Sequence, residues 1–86
     1  MKVFIPGPLR SYTREATVVR ADGKPIGQVL SNLDDSFPGF RFRISDEQDS
    51  AREHIKVFVG GEQVWDLSSP VQPSDEVQIL CALSGG

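Results

Sequence analysis

Eighty-six residues make one small domain, with room for a single core and not for a deep catalytic cavity. Twelve acidic against nine basic residues give a net charge of −3, which argues against nucleic acid and against an anionic membrane surface as partners. One cysteine, Cys81, and one histidine, His54, exclude a disulfide framework and a four-thiolate zinc or iron–sulfur site. The first apolar run is too short for a signal peptide and no stretch approaches transmembrane length, so a reducing, cytoplasmic compartment is expected.

Val3-Phe4-Ile5 reads as a short strand, closed by Pro6-Gly7-Pro8, which cannot continue a ladder. The β-branched run Glu15–Arg20 reads as a second strand, antiparallel to the first across the long Leu9–Arg14 connection. Ile26, Val29, Leu30, Leu33 and Phe37 then fall on one face of an amphipathic helix. Pro25 suits its first position and Pro38-Gly39 its end, whereas Lys24 is a poor cap and Gly27 weakens the start. Phe40–Ile44 alternates as a strand or extended return, and Ser45–Glu53 is polar enough for a surface loop. Ile55–Val59 is a strand that Gly60-Gly61 turns into Gln63-Val64-Trp65. Ser68–Asp75 is rich in turn residues, and Glu76–Ala82 is the last strand.

One helix among four or five strands covers only one sheet face, which makes the fold class α+β. The expected division is a domain over residues 1–82 and a flexible tail over residues 83–86, Leu83-Ser84-Gly85-Gly86. If Val3, Ile5, Val57, Val59, Val77 and Ile79 face the helix, alternation turns Phe4, Phe58 and Leu80 outward. These three are candidates for an apolar partner-binding patch, unless Trp65 or the Phe40–Phe42 region folds over them.

The hairpin, helix, two further strands and terminal Gly-Gly together resemble the ubiquitin-like β-grasp fold. Ile5-Pro6 with Leu9-Arg10, Phe37-Pro38-Gly39, Val57–Glu62 and Asp75–Leu80 leading into Gly85-Gly86 resemble the MoaD/ThiS family of sulfur carriers. The length and the segment Phe40–His54 are more similar to MoaD and CysO than to the shorter ThiS proteins. Cys81 departs from the family, in which many members have proline there. In a β-grasp sheet the first, last and third strands are neighbours, which would join Phe4, Phe58 and Leu80.

The resemblance implies that a ubiquitin-activating-type enzyme uses ATP to adenylate the Gly86 carboxylate. A sulfur donor then forms a thiocarboxylate, a C-terminal 1-thioglycine, which feeds a sulfur-accepting biosynthetic enzyme of molybdopterin or cysteine assembly. The same chemistry, ending in isopeptide bonds to lysines, describes a ubiquitin-like modifier, and a plain interaction module is a third reading. A β-grasp ferredoxin is excluded by the single cysteine.

A terminal carboxylate is ionised at neutral pH, so it attacks the α-phosphate of ATP without a general base. Glycines without Cβ enter a narrow slot. Chance alone would give Gly-Gly at the end about once in 100 such chains, so the motif has weight mainly through its place after the last strand. No nucleophile–base pair, phosphate loop or dinucleotide motif is present, so a catalytic site, a resident cofactor and a bound metal are not expected. Cys81 reads as a small buried hydrophobe. His54, Asp34-Asp35, Arg41 and Arg43 read as solvated charge.

Overall fold

The structure, a computed structural model, describes residues 1–45, 51–52 and 54–81. Five strands, β1 (Lys2–Phe4), β2 (Val18–Arg20), β3 (Ile55–Val59), β4 (Glu62–Val64) and β5 (Glu76–Cys81), form one sheet in the order β2-β1-β5-β3-β4. The central pair β1–β5 is parallel and the other pairs are antiparallel, so the sheet is mixed. The helices α1 (Ile26–Ser36) and α2 (Phe40–Ile44) and a 3₁₀ helix (Gly7–Thr13) complete the α+β domain.

The β1–β2 connection holds the first departure from expectation. Gly7-Pro8 opens the 3₁₀ helix, Leu9 and Thr13 are buried, and the Thr13 hydroxyl donates to the Ala16 carbonyl at 3.0 Å. Arg14 and Glu15 then take the left-handed conformation, at φ 55 and 67. A left-handed residue cannot join an extended ladder, so the second strand begins at Val18 and not at Glu15.

Helix α1 buries Ile26, Val29, Leu30 and Leu33, as its period requires. Pro25 is extended (ψ −169) and stands just before the helix, not inside it. No side chain caps the start; the Ser69 and Leu67 carbonyls accept from the Ile26 and Gly27 N–H groups at 3.0 and 2.8 Å. A Cβ on Gly27 would lie 3.1 Å from the Leu67 carbonyl oxygen, so glycine permits this backbone approach.

The Phe40–Ile44 segment is a helical turn, not a strand. Phe40 and Ile44, four apart, are both fully buried, while Phe42 stays outside at 64% exposure. Gly39 takes a left-handed turn (φ 92), and the Asp34 carboxylate accepts from the Gly39 and Arg41 N–H groups at 3.0 and 3.1 Å. The surface loop expected at Ser45–Glu53 lies largely outside the described residues. At its start Ser45 is buried and bridges Ala51.

Between sheet and helices, Val3, Ile5, Val57, Val59, Val77 and Ile79 meet the α1 residues, Phe40 and Ile44. Leu67 and Val71, from the irregular β4–β5 connection, close the core. Among the described residues no buried side-chain polar atom lacks a partner, and no helix is long and apolar enough to cross a membrane.

Candidate functional site: the outer sheet face and the end of β5

Strand β5 alternates strictly. Val77 and Ile79 are buried, whereas Glu76, Gln78 and Leu80 are exposed. Phe4 pairs with Gln78 across the parallel ladder, and Phe58 pairs with Gln78 across the antiparallel one. Directly paired residues share a face, so Phe4, Gln78 and Phe58 form one row on the side away from the helices. Val18, paired with Phe4, and Gln63, paired with Phe58, extend that row to the two edges.

The three sequence candidates therefore share the outer face without forming the unbroken apolar patch expected of them. Gln78 stands between Phe4 and Phe58, whose strands are two sheet spacings apart, about 10 Å. Leu80, 48% exposed, lies opposite Lys56 and only diagonal to Phe58. Both phenylalanines are half-buried. Phe40 joins the core, and Trp65 is 71% exposed. Phe42 lies beneath the Arg52 guanidinium, 4.6 Å from its ring centre.

Sequence reasoning missed Gln78 and Val18. Both follow once the strand order 2-1-5-3-4 is combined with the register, which a hydrophobicity pattern does not supply.

Beyond Leu80, Cys81 pairs with Ile55 and is the last described residue of the chain. Its side chain packs against the core, and burial pushes the thiol pKa up, with the Arg43 guanidinium acting weakly in the opposite sense. Arg43 stands over the Tyr12 ring at 5.7 Å, and Arg41 donates to the Ser31 hydroxyl, so both arginines have structural contacts beyond simple solvation. His54 is exposed. Asp34 departs from the solvated reading by holding the start of α2. Among the described residues no three His, Cys, Asp or Glu side chains gather as a metal site would. The candidates Leu83, Ser84, Gly85 and Gly86 lie outside the described residues.

The model of the ThiS family matches residues 3–86. The chain belongs to the ThiS family. The sulfur carrier protein CysO of Mycobacterium tuberculosis is 32% identical over 98% of this chain and 96% of its own length. The same values hold for CysO of Mycobacterium bovis. In solved structures, the Amycolatopsis orientalis BexX/CysO complex contains a similar chain with a TM-score of 0.91 and 28% identity, covering 99% of this chain and 98% of that one. The crystal structure of M. tuberculosis CysO gives 0.89 and 29%, over 95% and 98% of the two chains. SAMP1 of Haloferax volcanii, at 24% identity and 0.79, shares the fold over 100% and 98%. The ubiquitin-like β-grasp build and the sulfur-carrier role read from the sequence stand with the family.

Proposed function

We propose that Gly86 is the working residue of this carrier and that the outer face of β1, β5 and β3 receives its activating enzyme. The observation that carries the reading is the run of β5. The strand that holds the centre of the face is described as far as Cys81, five residues before Gly86. Five extended residues reach about 17 Å, so an enzyme that takes the Gly86 carboxylate must also lie against the end of β5.

In the first step the Gly86 carboxylate attacks the α-phosphate of ATP, forming an acyl-adenylate and releasing pyrophosphate. A sulfide-equivalent donor then attacks the carbonyl carbon and expels AMP, leaving the thiocarboxylate. The partner supplies charge stabilisation at phosphorus, while this chain supplies a positioned carboxylate and no catalytic side chain. The sulfur passes to a biosynthetic enzyme of cysteine or molybdopterin assembly. The CysO name of the relatives and the BexX/CysO complex support partnership with enzymes.

Incubation with the adenylating enzyme, ATP and sulfide should replace one oxygen by sulfur, a gain of about 16 Da confined to the C-terminal peptide. Alkylation of the thioacid separates this product from oxidation. Deletion of Gly86 shortens the reach by about 3.3 Å and should abolish the product without lowering Tm. Normal activation of the shortened chain refutes the assignment, and isopeptide-linked products would transfer it to protein modification.

A further inference from the structure

Gln78 is a polar side chain at the middle of the row, between the apolar Val18 and Phe4 on one side and Phe58 on the other, with Gln63 at the far edge. Phe4 flanks it on β1 and Phe58 on β3, while Leu80 is its next outward neighbour along β5. It is exposed, and its amide makes no hydrogen bond among the described residues. An apolar side chain there would join Val18, Phe4 and Phe58 into one continuous strip. Glutamine therefore interrupts the strip where an interface would be driest.

We infer that Gln78 is the specificity-determining residue of the docking face, reading a neutral hydrogen-bonding group on the adenylating enzyme. The inference rests on the docking proposal above. The occupant follows from chain length: Gly86 lies five residues beyond Cys81, so the enzyme holding the carboxylate lies against the end of β5. A partner closing over Phe4 and Phe58 removes Gln78 from water. Its amide presents one carbonyl acceptor and two N–H donors. Desolvating them without replacement bonds is costly, so a partner that binds tightly carries a matching acceptor and donor, such as a backbone peptide group or a side-chain amide. An enzyme with only an apolar surface at this point is rejected. Sites that bond a polar group discriminate far more strongly than those that only enclose a shape.

The test measures pyrophosphate release by the organism's own adenylating enzyme as a function of carrier concentration, for wild type and for Gln78→Leu, Gln78→Ala and Phe58→Ala. Circular dichroism first establishes that each variant keeps the wild-type fold. Gln78→Leu should raise KM at least fivefold with kcat little changed, because the contact is remote from the reacting carboxylate. Gln78→Ala should move in the same direction. A KM for Gln78→Leu within fivefold of wild type, or lower, overturns the inference, since the partner then reads only an apolar patch. Phe58→Ala separates the two claims. If it raises KM while Gln78→Leu does not, the docking face stands and the role of Gln78 falls. If neither moves KM, the docking face itself is wrong.

Discussion

Asp34 and Asp35 are adjacent acids on the same helix, and replacing them singly should give very different results. The Asp34 carboxylate accepts from two backbone N–H groups, Gly39 at 3.0 Å and Arg41 at 3.1 Å, and these bonds turn the chain from α1 into α2. The two N–H groups differ in their access to water. Gly39 is exposed and can bond to solvent when the carboxylate is removed, whereas Arg41 is half-buried and recovers less. Loss of a helix cap costs about 0.5–2 kcal/mol, and bonds to a charged acceptor are worth about 1.5–3 kcal/mol. A cost of about 2 kcal/mol for Asp34→Ala follows, against a total of about 4–13 kcal/mol for a chain of this length. Such a loss lowers Tm by about 8–16 °C in a domain of this size. Asp34→Asn keeps an acceptor and should lose about half as much. Asp35 is exposed and makes no hydrogen bond among the described residues, so Asp35→Ala should stay within about 0.5 kcal/mol. Urea unfolding followed by circular dichroism is the suitable assay, because Trp65 is 71% exposed and reports packing poorly. Equal midpoints for the two alanine variants would refute the capping argument.

Phe40→Ala should cost about 3–5 kcal/mol in the same assay, whereas Phe42→Ala, two residues on, should cost less than about 1 kcal/mol; Phe40 is fully buried and Phe42 is 64% exposed. Gly23→Ala should destabilise by more than about 1 kcal/mol, because its Cβ would stand 2.7 Å from the Val29 backbone nitrogen, while Gly7→Ala, with open space around it, should be near neutral by thermal melting. The raised pKa keeps the Cys81 thiol protonated at neutral pH. Its alkylation by iodoacetamide should therefore lag behind that of glutathione and keep accelerating as pH rises beyond the usual thiol range. Arg43→Ala removes the one opposing influence and should slow it further; a rate equal to that of glutathione would contradict the burial argument.

The elements legible in the sequence were those with several turns or pleats of one period. Ile55–Val59 and Glu76–Cys81 alternate over five and six residues, and Ile26–Leu33 repeats its apolar positions through two helical turns. Phe40–Ile44 is too short for that discrimination. In Phe-Arg-Phe-Arg-Ile, alternation and an i, i+4 pair are satisfied together, and the choice is made outside the segment by Gly39 and the Asp34 carboxylate. Asp34 could not be told from Asp35, because its partners lie five and seven residues away across a turn. On the outer face, alternation gives the side on which Phe4, Phe58 and Leu80 lie. Register gives their neighbours, and register depends on pairings between distant strands.

The parallel pairing of β1 with β5 has a consequence for how the chain folds. Val3 and Val77 are neighbours in the ladder although 74 residues separate them in sequence. Closing a loop of that length carries a length-dependent entropy term of about 4 kcal/mol, which no contact offsets until nearly the whole chain is in place. Hairpin β3–β4 and helix α1 are local, whereas the β1–β5 pairing closes the longest loop in the sheet. A chain in which β1 has not yet joined β5 thus lacks the complete row Phe4–Gln78–Phe58, since each of its members comes from a different strand. Recognition through that row would screen carriers for complete folding before any ATP is committed to them.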